Sequence, residues 1–332
     1  MRNLALASLL ALVAALAAAL PAHATYPGAN GQIAFGRTLD TSNGTRAIFA
    51  VNADGSGERQ LTNPGAGVSD DQPDWSPDGT KIAFDRCGHE RCELWVMNAD
   101  GSAATRLGPD CQNVPPPACE DRGAGSWSPD GKAIAFNRAW GAVQNGQIER
   151  SELWVTDADG SHARPITHLT ARHPFRRDVG DAMWSPNGKA LVLSVLNGEL
   201  GKPAGHRAVF TIHADGTGLR RITPWKLDAG DHPDWSPDGK LLLFRTVSAD
   251  EIHGNVYTIR PNGTGLKKMT HVPPSTIVLS SSFSPDGQSI TFAKGGVDGQ
   301  PDIFTMHLDG TGVSPVTQTA LPDSAPDWGP AR

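Results

Sequence analysis

Apolar and β-branched residues occur along the chain in short runs, and each run is bounded by a turn signal. A Ser-Pro-Asp-Gly or Ser-Pro-Asn-Gly segment precedes several of these runs and begins at Ser76, Ser128, Ser185, Ser236 and Ser284. Proline presets the backbone at the second position of a type I turn, and glycine tolerates the fourth. The run that follows, such as Ile82-Ala83-Phe84, is apolar on both faces, so we expect strands that are covered on both sides.

A second repeated unit follows each copy of the first. In the first instance a strand-like run over 47–51 leads into Asp54-Gly55, and Asp-Gly or Asn-Gly returns at 100, 159, 215, 262 and 309. This dipeptide between two strand-like runs is the strongest short signal for a β-hairpin. Each repeat therefore predicts four antiparallel strands, and copies roughly 50 residues apart are typical of propeller blades.

The two ends of the chain complement each other. Gly31-Gln32-Ile33-Ala34-Phe35 matches the second strand of a repeat but has no turn motif before it, whereas Asp327-Trp328 near the end is a first strand with no second. Pairing the two would close a ring and remove the open sheet edge. We therefore predict an all-β fold, a six-bladed β-propeller of four-stranded antiparallel blades, closed by pairing of the C-terminal strand with the N-terminal blade.

Residues 1–24 carry the pattern of a secretory signal peptide. Arg2 precedes an Ala/Leu run, and Ala22-His23-Ala24 provides a small-x-small cleavage site. The alternative, a membrane anchor, fits less well because the run is short for a span. We expect residues 25–332 to form the propeller, exported to the periplasm or secreted, with no membrane span.

Composition narrows the class of partner. The formal net charge is −6 and no basic stripe occurs, so we expect no nucleic-acid partner. The sequence favours a monomer.

Four cysteines fit an oxidising compartment. We favour the pairs Cys87–Cys92 and Cys111–Cys119, because each closes a short local loop, although four cysteines allow three pairings. A zinc site made of all four is the competing hypothesis, but no two-residue Cys-x-x-Cys spacing occurs.

Alternating strand direction places the tight turns on one face of the disc, the turn face, and the long, irregular connections on the other, the loop face. Binding residues usually lie on irregular loops carried by a rigid scaffold, so we place the function on the loop face. The segments just before the first strand of each repeat would line the channel mouth there. The candidate binding residues are Asp71, Asp121, Asp181, Asp231, His232, Asp323, His173 and Arg176. A ring of carboxylates could hold Ca²⁺ or accept basic groups from a partner, and the alternative is that each Asp caps its own loop.

Histidines also gather in the predicted loop-face connections. They are His168, His173, His206, His232, His253 and His271. Three of them converging on one point would support metal-assisted catalysis, but no pair has a recognised metal-ligand spacing. The sequence names no metal and no catalytic residue.

The repeat Trp-Ser-Pro-Asp-Gly-x-x-Ile-Ala-Phe, with Leu-Trp-Val-Met-Asn-Ala-Asp-Gly-Ser and a closing Leu-Thr, resembles the propeller repeats of the TolB family over about residues 31–330. The resemblance implies an exported propeller that binds a protein or peptide at its channel mouth. TolB also carries an α/β domain before its propeller; here only a few residues separate the predicted cleavage site from the first strand, so we expect a propeller without that domain.

We therefore expect a binding module for a protein, a peptide or an envelope polymer rather than an enzyme. The alternative is a metal-assisted polysaccharide lyase or hydrolase that uses the loop-face histidines, and a purely structural envelope scaffold is a third class.

Overall fold

The structure is a computed structural model. It describes residues 26–88, 92–107, 119–144, 147–169, 176–198, 205–246, 254–273, 275–296 and 300–332. The predicted signal peptide, residues 1–24, therefore lies outside the described residues.

The described residues are almost entirely β-strand, turn and loop, arranged in repeated units of four strands. The first, innermost strand of each unit is β24 (Asp323–Pro330), β4 (Ser69–Trp75), β8 (Cys119–Trp127), β12 (Arg176–Trp184), β16 (Ala229–Trp235) or β20 (Thr276–Phe283). The second is β1 (Asn30–Asp40), β5 (Lys81–Cys87), β9 (Ala133–Gln144), β13 (Ala190–Gly198), β17 (Leu242–Thr246) or β21 (Ser289–Gly296).

The third strand of each unit is β2 (Thr45–Val51), β6 (Cys92–Asn98), β10 (Gln147–Asp157), β14 (His206–His213), β18 (Val256–Ile259) or β22 (Asp302–His307). The outer strand is a two-residue element: β3 (Arg59–Gln60), β7 (Thr105–Arg106), β11 (Arg164–Pro165), β15 (Arg220–Arg221), β19 (Lys267–Lys268) or β23 (Ser314–Pro315). Very short outer strands rich in Arg and Lys discourage edge-to-edge pairing with another chain. A single 3-10 turn, Trp225–Leu227, is the helical segment in the described part of the chain.

The sheet pairing joins the chain ends as the sequence predicts. Strands β24, β1, β2 and β3 form one antiparallel unit, in which Ile33 faces Trp328. One parallel bridge, Arg46 to Ser69, connects this unit to β4–β7. The remaining strands form four four-stranded antiparallel sheets among the described residues.

Local hydrogen bonds explain the recurring turn. In the copy at Ser76, the Gly79 N–H donates to the Ser76 carbonyl oxygen at 2.8 Å, and Ser76 Oγ accepts the N–H of Lys81 at 2.9 Å. Asp78 Oδ1 accepts from Ser76 Oγ and from the Thr80 N–H. The same bonds recur at Ser128, Ser185, Ser236 and Ser284. Because these bonds span only six residues, the sequence predicts the turn without tertiary contacts.

The hydrophobic core lies between consecutive sheets rather than in one central mass. One cluster packs Ile33 and Phe35 of β1 with Ala293 and Ile303 of β21 and β22, and similar clusters occupy the other interfaces between sheets. The central residues of the second strands are buried on both faces, as predicted; Phe84, for instance, is fully buried.

The predicted disulfide Cys87–Cys92 is confirmed and bridges the end of β5 to the start of β6. Cys111 lies outside the described residues, so the Cys111–Cys119 bridge stays a prediction. Within the described ranges, no helix is long and apolar enough to span a bilayer.

Candidate binding site in the axial cavity

A small cavity lies where the inner strands meet, and we call it the axial cavity. It encloses about 50 Å³. Five inner strands supply its walls, which consist of Gln72, Pro73, Asp74, Asp181, Met183, His232, Pro233, Asp234, Ser280, Ser281, Ser282, Ala325, Pro326 and Asp327. Four of these residues are aspartates, whereas no lysine or arginine is found among the described lining residues.

Three of the aspartates occupy the same place in their strands, within the sequence Pro-Asp-Trp. Each carboxylate accepts a backbone N–H from the neighbouring inner strand: Asp327 from Trp75 at 2.8 Å, Asp74 from Trp127 at 3.0 Å, and Asp234 from Phe283 at 2.8 Å. In two other inner strands a serine, Ser126 or Ser282, takes the place of the aspartate. Its hydroxyl accepts the backbone N–H of the neighbouring inner strand in the same way. These bonds tie consecutive inner strands together around the cavity.

The buried carboxylates are held in an environment that disfavours their charge. Burial raises the pKa of Asp74 well above its usual range, and the neighbouring charges of Asp327 and Asp234 raise it further. Burial raises the pKa of Asp327 to about 6, although hydrogen bonds from the Trp75 N–H and Ser282 oppose the shift. The cavity wall therefore combines electronegative groups with a deficit of compensating positive charge.

Backbone strain marks the cavity rim at three equivalent positions. Gln72, His232 and Ala325 have φ of 52°, 44° and 48°, in the left-handed region that non-glycine residues rarely adopt. Each precedes the proline of a Pro-Asp-Trp copy, at a break in the register with the second strand. Such conformations cost about 1 to 3 kcal/mol each, and they concentrate at functional sites. The bulges turn Gln72, His232 and Ala325 toward the cavity.

One histidine pairs with a carboxylate at the rim. His232 Nδ1 lies 3.2 Å from Asp181 Oδ2, and both side chains are about one-fifth exposed, at 24% and 18%. The two residues come from different inner strands, β16 and β12. The pair therefore bridges two sheets while both of its members line the cavity.

Ser281 is a further polar residue of the cavity wall. It is 4% exposed and lines the cavity. Its hydroxyl is buried and has no hydrogen-bond partner in the part of the chain that the structure describes. A buried hydroxyl without a partner is costly, which makes it a candidate contact for a ligand.

The turn-face end of the channel is filled by the first described residue, Tyr26. Its hydroxyl donates a hydrogen bond of 3.2 Å to the Trp127 carbonyl oxygen, and its ring packs against two of the clusters between sheets. Two residues on, the Gly28 N–H donates to the Pro285 carbonyl oxygen at 3.2 Å, in a turn of another unit. The segment over 26–28 therefore crosses the turn face.

The structure separates the carboxylates predicted from sequence into different environments. They lie within the inner strands rather than in loops before them, because those strands begin earlier than the sequence pattern suggested. Asp181 and His232 line the axial cavity. Asp323 is buried and bonds Arg37 through both oxygens, at 2.7 and 2.9 Å, while Asp71 is ion-paired with Arg46.

Three of the other predicted residues lie on inner strands, and the fourth is outside the described residues. Asp121 and Asp231 sit in β8 and β16, opposite Arg138 and Arg245 in register. Arg176 is the first residue of β12, and His173 lies outside the described residues.

The convergence of histidines that would favour metal-assisted catalysis is not found among the described residues. His168 and His271 are exposed, His206 Nδ1 lies 3.5 Å from Asp228 Oδ2, and His253 is outside the described ranges. The described part of the chain contains no group of three or more His, Cys, Asp or Glu residues suited to a metal ion.

Sequence reasoning missed Asp74, Asp234 and Asp327, although a signal was present. Pro-Asp-Trp occurs with each of these residues, and side-chain alternation along a strand puts the aspartate on the opposite side from the tryptophan that packs between sheets. Ser281 and Tyr26 gave no comparable signal.

Comparison with known proteins supports the fold. No protein-family model matches the chain. Over 126 residues, 37% of the chain, it is 32% identical to the Tol-Pal system protein TolB of Anaeromyxobacter dehalogenans strain 2CP-C, and the match covers 24% of that protein. Over 298 residues, 76% of the chain, it is 25% identical to dipeptidyl-peptidase 5 of Porphyromonas gingivalis, and the match covers 41% of that protein. The chain thus spans less than half the length of either relative.

A solved structure extends the likeness to nearly the whole chain. The crystal structure of TolB from Acinetobacter baumannii superposes with a TM-score of 0.69 at 19% identity, over 92% of this chain and 68% of that one. At this identity the similarity shows the fold, a β-propeller, and leaves the activity to be argued from the site.

Proposed function

We infer from its TolB-like β-propeller fold that this chain is a binding module, which takes a protein or peptide partner at the loop-face mouth of the axial cavity. The observation that carries the proposal is the cavity itself, which is acidic, strained at its rim and filled at its turn-face end by Tyr26.

We also propose that the propeller has six blades closed into one ring. The pairing of Ile33 with Trp328 supports closure, because it completes the N-terminal unit with the last strand of the chain. The hydrophobic clusters support the count, since each joins two neighbouring units and one joins β1 and β2 to β21 and β22. Closure leaves the short outer strands as the only sheet edges of such a ring.

The size of the cavity favours a macromolecular partner. Pockets that enclose small-molecule ligands typically measure about 300 to 1,000 Å³, whereas the axial cavity encloses about 50 Å³. It has room for the end of one side chain, so most of the contact area would lie on the surrounding loop face.

The proposal includes export of the chain from the cytoplasm. The signal-peptide pattern over 1–24 and the Cys87–Cys92 disulfide both fit an oxidising compartment. We propose that the chain acts in the periplasm, as a monomer, and the partner would then be an envelope or secreted protein.

The test is a quantitative pull-down from envelope extract with the purified wild type and three variants. Met183→Trp would fill the cavity, and Asp181→Lys would reverse a rim charge. Asp238→Asn is the matched turn-face control, because Asn187 makes the same turn bonds in another repeat. Circular dichroism would establish that each variant is folded.

We expect the wild type and Asp238→Asn to retain the same partner protein from the extract. Neither cavity variant, Met183→Trp or Asp181→Lys, should retain it. Equal recovery with folded cavity variants would overturn the proposal that the partner binds at this mouth.

A further inference from the structure

We propose that the axial cavity receives one primary ammonium group, the end of a lysine side chain of the partner. This inference rests on the proposed function, because it names the chemistry that the same site would recognise.

Charge is the first argument. Asp74, Asp181, Asp234 and Asp327 line the cavity, and His232 is the one basic group among the described lining residues. His232 is paired with Asp181. A cation entering the cavity would therefore meet carboxyl groups with little positive charge beside them, and its own charge would favour their ionised form, most strongly where water is excluded.

Three arginines of neighbouring strands are engaged by carboxylates outside the cavity wall. Arg37 is engaged by Asp323 and Glu58, and Arg46 by Asp71. Arg86 pairs with Asp70. Each arginine is therefore committed to a carboxylate other than those of the cavity wall.

Hydrogen-bonding capacity is the second argument. An ammonium group brings three N–H donors and no acceptor. Ser281 lines the cavity, and its buried hydroxyl has no hydrogen-bond partner among the described residues, so it is a candidate acceptor for one of these donors. Asp74 Oδ1 accepts the Trp127 N–H, and a carboxylate has about four lone-pair sites, so Asp74 retains capacity for another donor.

The volume of the axial cavity favours one kind of cation over the others. A space of about 50 Å³ suits the compact ammonium of lysine better than the broad, planar guanidinium of arginine. A divalent metal needs several converging ligands, and the described residues contain no such group. We therefore assign the cavity to an ammonium group.

The experiment compares two fluorescein-labelled peptides, acetyl-Gly-Lys-Gly and the same peptide with the lysine Nε acetylated. Fluorescence anisotropy would report binding of each to the full chain. The charge-removing variant is Asp74→Asn with Asp234→Asn, because the asparagine oxygen still accepts the N–H bonds of Trp127 and Phe283. Ser281→Ala tests the hydroxyl, and Asp238→Asn on the turn face is the control.

We expect the lysine peptide to bind at least tenfold more tightly than the acetylated peptide. The paired Asn variant, with both Asp74→Asn and Asp234→Asn, should bind the lysine peptide about tenfold more weakly than the wild type. Ser281→Ala should weaken binding severalfold, and Asp238→Asn should leave it unchanged. Equal binding of the two peptides, or full affinity in a folded Asp74→Asn, Asp234→Asn protein, would overturn the inference. So would displacement of the lysine peptide by micromolar Ca²⁺ or Mn²⁺, since the site would then be a metal site.

The pull-down separates this inference from the proposed function. A partner lost with Met183→Trp but retained by the paired Asn variant would leave the binding site standing and overturn the ammonium assignment. A partner retained by both variants would overturn the proposed function.

Discussion

The indole Nε1 of Trp328 donates a hydrogen bond of 3.2 Å to the carbonyl oxygen of Gly31, 297 residues earlier in the chain. The same tryptophan faces Ile33 across β24 and β1 and is 6% exposed. The stability of the N-terminal unit therefore depends on the last few residues of the chain.

Removing this contact should destabilise the whole protein. Trp328→Ala is expected to lower the free energy of unfolding by about 3 to 5 kcal/mol, because it removes a large buried ring. Trp328→Phe keeps most of the packing and loses the N–H bond, so a loss of about 1 to 2 kcal/mol is expected. Urea denaturation measures both, and a cost below about 1 kcal/mol for the alanine variant would contradict this role for Trp328.

Gly36 is required because a carboxylate occupies the space beside it. A Cβ at Gly36 would overlap Asp71 Oδ1 and lie 3.0 Å from Asp71 Cγ. Gly36→Ala should therefore cost about 1 to 3 kcal/mol of unfolding free energy, in part by disturbing the Asp71–Arg46 pair. The cost should shrink in an Asp71→Ala background, which a double-mutant cycle would measure.

Gly65 is the matched control for this substitution. A Cβ there has no neighbour within 4 Å, so Gly65→Ala is expected to be neutral or slightly stabilising. If the two glycine variants lose the same stability, the overlap with Asp71 is not the cause.

The buried carboxyl of Asp327 should make stability depend on pH. Burial raises its pKa to about 6, whereas an unfolded aspartate has a pKa of about 3.9. The folded state therefore holds a proton that the unfolded state has lost, and stability falls as pH rises from about 4 to about 6, then levels. Two pKa units correspond to about 3 kcal/mol.

Asp327→Asn removes this titration and keeps an oxygen for the Trp75 N–H. Its stability relative to the wild type should rise between pH 4 and pH 6 and stay constant above, as measured by denaturation across that range. Asp238→Asn should change in the opposite direction and at lower pH: its stability relative to the wild type should fall as pH rises toward about 4 and stay constant above. Although some burial raises the pKa of Asp238, hydrogen bonds from Lys240 and Ser236 leave it lowered. A flat difference for Asp327→Asn would show that the carboxyl is not held protonated.

Tyr26 should limit stability at high pH. Burial raises its pKa well above the ordinary range, and the charges of Asp74 and Asp327 add to the shift. The unfolded chain loses the phenol proton near pH 10 while the folded chain keeps it, so stability falls as pH rises above about 10.

Tyr26→Phe lacks the titrating group. At neutral pH it should cost about 1 kcal/mol through loss of the bond to the Trp127 carbonyl. Between pH 9 and pH 11 its stability should decline less steeply than that of the wild type in urea denaturation. Parallel declines would mean that the Tyr26 phenol ionises without opening the fold.

Local sequence patterns predicted the parts of the fold that depend on residues close together in the chain. The Ser-Pro-Asp-Gly turn at Ser76 and the pairing of Cys87 with Cys92 each span a few residues, so composition and spacing were enough to predict them. The pairing of Ile33 with Trp328 is a long-range contact, yet it was predictable because each end of the chain held the half of a repeat that the other lacked.

The candidate site was predicted less well. Asp181 and His232 were placed at the channel mouth and do line the cavity. Asp323 and Asp71 were expected there too, but each is ion-paired with an arginine. The partners Arg37 and Arg46 lie far from them in sequence, so no local pattern reveals the pairing.

The sequence by itself determined the repeating unit, its turns and the complementarity of the two chain ends, because each follows from hydrogen bonds and burial within one repeat. Only the tertiary structure decided which carboxylates face the axial cavity, that Ser281 has no partner there, and that Tyr26 fills the turn-face end. These features depend on how several sheets converge, and small differences in bulge and register, which no single repeat specifies, set the direction of each side chain.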